Sequence, residues 1–259
     1  MHSRGVRRSR QEEEEESYFV SMADMMVGLL FIFVILLVYF ALQFRQTTET
    51  LTGAGETRRE ILETLKTRLD QRLKPYNLQV QINTETGVLT LPDSILFDTA
   101  QFRLRPDGEK AVEIVADELA TVLPCYTDRL EGAPACTLRD QAANKIDAIF
   151  IEGHTDTERM PPRGVLQDNL DLSALRATNT FRRMTDSHPE LERLVNKSAQ
   201  ASVPILGVSG YGERRPVPGA KGNVEEIYAQ NRRIDLRFLM VTPKSPDSVA
   251  LSRTLEGQK

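Results

Sequence analysis

The chain has 259 residues, of which 40% are hydrophobic, and a formal net charge of −4; it is long enough for one or two compact domains and lacks the basic excess of a nucleic-acid binder. Its three histidines and two cysteines form no set with metal-ligand spacing, and neither a glycine-rich phosphate loop nor a serine nucleophile elbow is present. The composition as a whole says little more, and no enzymatic activity, metal or organic cofactor is expected of the chain.

Residues 1–17 form a charged tail in which Arg4, Arg7, Arg8 and Arg10 precede the acidic run Glu12 to Glu16, a composition expected to stay solvated and irregular. Residues 18–44 are almost wholly apolar. As a helix, the 23 residues from Tyr18 to Phe40 extend roughly 34 Å, enough to cross a hydrocarbon core of about 30 Å. A cleavable signal peptide fits poorly, because the apolar run is longer than such peptides carry and no small-x-small site follows it. Acids count for little in setting orientation, so the arginines place the N-terminus in the cytoplasm and everything after Phe44 across the membrane.

One acid, Asp24, lies near the start of this span. A charged aspartate at the centre of a membrane helix costs roughly 2.5 to 3.5 kcal/mol, and acids within spans are candidates for ion pathways. The alternative is a helix that begins at Met25, with Asp24 as its solvated cap.

Residues 45–76 form a linker and a helix. The Thr/Gly-rich stretch "TTETLTGAGE" is expected to interrupt the helix, after which Ile61, Leu62, Leu65, Leu69 and Leu73 recur at three- and four-residue steps up to Pro75. That stripe suits either packing on the chain's own domain or a short parallel contact with a second copy.

Residues 77–242 read as a mixed domain. "LQVQINTETGVLTLP" alternates around Thr86-Gly87 as a hairpin does. A helix is predicted over 105–123, with Pro106 in its first turn. A buried strand follows at "KIDAIFIEGH", then a helix over 173–187, a strand at "VPILGVSGYG", a short helix over 224–230 and a last strand at "RRIDLRFLMV". This order predicts an α+β domain, a mixed β-sheet with helices on one face. Cys125 and Cys136 flank a loop with Gly132 and Pro134; beyond the membrane they would form a disulfide, or else stand as two buried free thiols. Residues 243–259 read as an irregular tail.

The strand-end loop "GHTD" carries Thr155 and Asp156, the following helix carries Arg176, and the last strand begins with Arg232 and Arg233. An aspartate and an arginine converging on one pocket suit a zwitterion, the carboxylate taking an ammonium and the guanidinium a carboxylate. A plain ion pair tying helix to loop fits the same spacing. His154 has no nucleophile or orienting acid of evident motif beside it and reads as a loop-packing side chain.

Four ordered motifs resemble the peptidoglycan-binding domain of the OmpA-like family: "GHTD", Gly153 to Asp156; N-x-x-L-S-x-x-R-A, Asn169 to Ala177; "GYGE", Gly210 to Glu213; and "NRR", Asn231 to Arg233. "ILFDTAQFRLRPDG" fits the family's opening, and the match covers residues 78–240. The resemblance implies that Asp156 and Arg176 hold the diaminopimelate of the wall peptide, with Thr155, Asn169, Asp98 and Arg232 in supporting positions. The sequence departs from the family by a longer insertion at residues 157–168.

A retained N-terminal helix with an acid near its start, joined to such a domain, is similar to the MotB class of proton-driven stator subunits, with Asp24 at the position of the proton-carrying acid. "YFVSMADMMVGLLFIF" after an acidic tail resembles more closely the stator-like ZorB family of Zorya anti-phage defence systems. The resemblance implies a single-pass inner-membrane protein with a periplasmic C-terminal domain and protons as the coupling ion. It also implies a homodimer inside a pentameric ring of a MotA/ZorA-like membrane subunit, peptidoglycan as the anchor, and cytoplasmic defence effectors reached indirectly, without direct nucleic-acid binding. A flagellar stator subunit and a non-conducting membrane-to-wall tether are the alternatives.

Overall fold

A computed structural model describes residues 4–76, 78–137, 145–197 and 201–241; the tail expected over 243–259 lies outside them. The chain divides between Leu51 and Thr52 into two compact units.

The described residues of the first unit are helical. Helix α1 (Arg4–Leu73) begins inside the charged tail, which was expected to be irregular; arginine and glutamate are good helix formers, and their run contains no breaker after Gly5. Met22–Arg45 is the one stretch among the described residues long and apolar enough to cross a membrane, and Asp24 stands near its start. Its large side chains are exposed throughout, Met25 at 74% and Phe44 at 76%, as a lipid-facing helix requires.

The expected break at residues 47–56 does not occur: these residues are helical. The Thr48 hydroxyl donates to the carbonyl of Phe44 at 2.9 Å and the Thr57 hydroxyl to Gly53 at 3.0 Å, so these side chains bond back into the helix rather than offering the backbone another path.

In the second unit the last turns of α1 bury Ile61, Leu62, Leu65, Leu69 and Leu73 in the core of the domain. The stripe is thus accounted for by the chain's own domain, and Arg68 and Arg72 pair from its edge with Glu118 and Asp117. A single turn over Lys74–Tyr76 ends the segment at Pro75.

The hairpin β1 (Gln81–Asn83) and β2 (Val88–Pro92) turns at Gly87, whose φ of 77° lies in the left-handed region. One turn, α2 (Asp93–Leu96), leads through an extended loop to α3 (Pro106–Val122), which has its proline at the first position as predicted. Then come β3 (Asp128–Arg129), β4 (Ile146–His154), α4 (Asn169–Ser187), β5 (Leu194–Lys197), β6 (Ser202–Pro204), β7 (Leu206–Gly210), α5 (Val224–Asn231) and β8 (Arg233–Met240).

The main sheet runs β1-β2-β8-β4-β7, with only β4 and β7 parallel; a second sheet is β3-β5-β6. Alternation along the strands separates the faces of the main sheet. Leu89 and Leu91, Ile149 and Ile151, and Ile234, Leu236 and Phe238 are buried in the core with α3 and α4. The other face carries Thr90, Glu152, His154, Arg233, Asp235 and Arg237. The result is the expected α+β domain, a mixed sheet with its helices on one face.

The strand expected at residues 203–212 is two strands in different sheets. Ile205 joins them: its N–H donates to Leu194 at 3.2 Å while its carbonyl accepts from Ile149 at 2.7 Å. Cys125 and Cys136 are joined by a disulfide that closes the loop between them.

Candidate functional site

The site begins with a close approach of helix to strand. Gly153, in the buried end of β4, lies directly beneath α4, where an added Cβ would lie 2.0 Å from the carbonyl oxygen of Ser173. Only glycine fits there. Ser173 is fully buried, donates to Leu170 at 2.8 Å and accepts from the N–H of Gly212 at 2.9 Å. Gly212, at φ 56°, in turn accepts at its carbonyl from the N–H of Thr155 at 3.0 Å. The glycine and serine of three motifs therefore form one clasp that brings strand end, helix and turn together.

α4 starts at Asp168, whose side chain accepts from the N–H groups of Leu170 and Asp171. Eight residues into the helix, Arg176 is 2% exposed and reaches into a cavity of about 440 Å³. It forms an ion pair with Asp93 at 2.9 Å, donates to the carbonyls of Gln101 at 2.8 Å and Asp98 at 3.3 Å, and lies 4.9 Å from the centre of the Phe97 ring. Burial pulls the guanidinium below its ordinary pKa, against the opposing charge of Asp93. Burial also raises Asp93 from 3.8 to about 6, with the Arg176 charge opposing.

Asp156 lines the same cavity. Its carboxylate accepts from Arg232 at 2.7 Å and from the N–H of Glu158 at 2.9 Å. Arg232, at the end of α5, divides its two terminal nitrogens between Asp156 and Glu225, each at 2.7 Å. Partial burial lowers its pKa, but the hydrogen bonds to Glu225 and Asp156 outweigh this and hold it above the ordinary value. Thr155 lines the cavity and donates to the carbonyl of Asp156 at 3.0 Å. Asn169 donates to the carbonyls of Asp156 and Glu158, at 3.3 and 2.9 Å.

Five of the six residues expected at the pocket therefore meet there. The sixth, Asp98, contributes only its backbone carbonyl; its carboxylate is 71% exposed and faces Arg105 at 3.6 Å. The acid that meets Arg176 is Asp93, which sequence reasoning passed over. Its one local signal is its place directly after Pro92 at the end of β2, where the chain enters the pocket.

Among the charges on the cavity wall, Asp156 and Arg176 are each matched by a partner of the same chain, Arg232 and Asp93. An acid and a guanidinium on one wall are chemically suited to a ligand that carries both an ammonium and a carboxylate.

His154 is the last residue of β4 rather than a loop residue, because pairing with Arg233 extends the strand to it. It is 1% exposed and stacks on Tyr211 at 5.4 Å. Burial, reinforced by the Arg233 charge, lowers its pKa to about 3, so the ring is neutral at ordinary pH. Glu152, His154 and Asp235 have ligand atoms within 4.8 Å of one another. The two carboxylates are engaged elsewhere, Glu152 by Arg237 at 2.8 Å and Asp235 by Arg233 at 2.9 Å and the Thr90 hydroxyl at 2.6 Å.

No protein-family model matches the chain. The chain is similar to the Zorya protein ZorB of Escherichia coli O139:H28 (strain E24377A / ETEC), with 24% identity over 235 residues that cover 90% of this chain and 85% of that protein. It is also similar to Motility protein B of Bacillus subtilis (strain 168), with 27% identity over 185 residues, 70% of this chain and 57% of that protein. Among solved structures, a MotB-like protein from Desulfovibrio vulgaris aligns with 72% of this chain and 96% of its own, at 19% identity and a TM-score of 0.49. The resemblance to ZorB and MotB expected from the motifs is borne out.

Proposed function

We propose that the chain is the wall-anchored, stator-type subunit of a proton-driven motor in the inner membrane, acting in anti-phage defence. The observation that carries this reading is one chain holding both an exposed apolar span with Asp24 and a pocket where Asp156 and Arg176 share a cavity of about 440 Å³. Similarity to ZorB over 90% of the chain gives the defence setting, since it takes in the span as well as the domain.

In the pocket, the side-chain terminus of diaminopimelate places its ammonium at Asp156 and its carboxylate at Arg176. Asp93 and Arg232 keep these two charges compensated before the ligand arrives, so the site does not carry an unpaired buried charge. Asn169 and Thr155 fix the loop that presents Asp156.

In the span, Asp24 takes up and releases a proton. One helix encloses no path, so the chain works beside a second copy within a ring of a MotA/ZorA-like membrane subunit. An elementary charge moved across the membrane releases about 2.3 kcal/mol per 100 mV, which drives a step when protonation changes packing against the ring. Torque requires a fixed reference, and the grip on peptidoglycan supplies it. The arginines of the tail put the domain in the periplasm and the N-terminus in the cytoplasm, the side on which motion of the ring reaches the defence effectors.

The pocket is tested by co-sedimentation of the full chain with purified sacculi. Asp156→Ala and Arg176→Ala are expected to stay in the supernatant while wild type pellets, with thermal melts confirming that both variants fold. Folded variants that pellet like wild type would remove the pocket from the account.

A further inference from the structure

The insertion that separates Asp156 from Asn169 is a built wall of the pocket. Its first turn is pinned where the N–H of Glu158 donates to Asp156 at 2.9 Å and the Glu158 carbonyl accepts from Asn169 at 2.9 Å. Arg163 and Leu166 exchange two backbone hydrogen bonds, at 2.7 and 3.1 Å, and Leu166 is 3% exposed, so an apolar anchor holds the middle. At its far end the N–H of Gln167 donates to Asp171 at 2.8 Å, before Asp168 caps α4. Between these fixed points, Glu158, Arg159 and Met160 line the cavity.

Of the three arginines on the cavity wall, Arg176 is matched by Asp93 and Arg232 by Asp156 and Glu225. Arg159 is exposed and has no ion pair or hydrogen bond among the described residues. A guanidinium that lines the cavity without a protein partner is open to an anion from outside, and its planar fork suits a carboxylate. The cavity also has room for more than one residue of a ligand, at about 440 Å³.

The inference rests on the proposed binding of wall peptide. A peptidoglycan stem offers an ammonium and a carboxylate at the end of its diamino acid side chain, and a further carboxylate at its own C-terminus. A cross-link consumes one of these groups in each stem it joins: the ammonium of the acceptor is acylated, and the terminal carboxylate of the donor becomes an amide. Only an un-cross-linked stem keeps all three charges.

We infer that Arg159 is a specificity-determining residue that pairs with the terminal carboxylate of the stem peptide and so selects un-cross-linked stems. Asp156 rejects the acceptor stem, which has lost its ammonium. Arg159 disfavours the donor stem, which has lost its carboxylate.

The test is calorimetric titration of the full chain in detergent with a synthetic L-Ala-γ-D-Glu-diaminopimelate-D-Ala peptide, as free acid and as C-terminal carboxamide. Wild type is expected to bind the acid about threefold more tightly than the amide, the scale of an exposed ion pair. Arg159→Gln is expected to bind both peptides equally, at the affinity wild type shows for the amide. Wild type that binds both peptides equally, or Arg159→Gln that still prefers the acid, overturns the assignment. Asp156→Ala separates the two readings: if it binds the free acid like wild type, or if wild type binds neither peptide, the pocket reading fails and this inference with it.

Discussion

Replacing Asp93 by asparagine isolates the charge that sequence reasoning passed over. Asp93 is 5% exposed and its partner Arg176 2%, and burial outweighs the favourable charge of Arg176 to lift the carboxyl from 3.8 to about 6. A carboxyl whose folded pKa stands above its unfolded value binds its proton more tightly in the native state. Native stability from this group is therefore greatest in acid and falls as pH rises from about 4 through 6. Between pH 5 and pH 7 the shift from 3.8 to about 6 corresponds to a loss of about 1 kcal/mol. Asparagine does not titrate, so the unfolding free energy of wild type relative to Asp93→Asn should fall by about 1 kcal/mol over that interval. Urea unfolding of the detergent-solubilised chain at pH 5, 6 and 7, followed by tyrosine fluorescence through buried Tyr126, measures it. Parallel pH profiles for the two proteins, or a wild type that gains on the variant as pH rises, would refute the reasoning.

Ser173→Ala leaves the N–H of Gly212 without its acceptor inside the clasp and should cost about 2 kcal/mol, read as a lower urea midpoint; an unchanged midpoint would show that the clasp holds without the serine. Gly153→Ala drives a Cβ into the backbone of α4 and should destabilise by about 3 kcal/mol, with loss of sacculus binding as the helix shifts; a variant with wild-type melting and binding would contradict that geometry. The disulfide closes a loop whose ends are 11 residues apart, so its reduction should lower stability by about 3 kcal/mol, a change absent from a Cys125→Ser, Cys136→Ser double variant treated with the same reductant.

Much of the domain was legible because its elements carry strong local signals. The alternation in β2, β4 and β8, the proline at the start of α3 and the glycine of the first turn each specify backbone geometry on their own. Motif residues also placed the pocket, since Gly153, Ser173 and Gly212 are fixed by contacts that admit few substitutes. What could not be read depends on tertiary placement. Asp93 and Asp98 lie five residues apart with similar neighbours, and only the path of the chain over α4 decides which carboxylate is buried against Arg176. The small sheet β3-β5-β6 has strands of two to four residues, too short for a period to register. Its separation from β7 turns on Ile205, whose two backbone bonds go to different sheets. The stripe on the last turns of α1 was equally suited to two partners, and burial of Ile61 to Leu73 in the domain core settles it.

The central claim joins an intramembrane carboxylate to a wall-anchored domain, and proton flux tests it most directly. Reconstituted in vesicles with its membrane partner under an imposed potential, the wild-type chain is expected to acidify the lumen, and Asp24→Asn to reduce that flux to the level of empty vesicles while still pelleting with sacculi. Equal flux from wild type and Asp24→Asn, with equal protection of cells against phage, would contradict the motor and leave a static tether between membrane and wall.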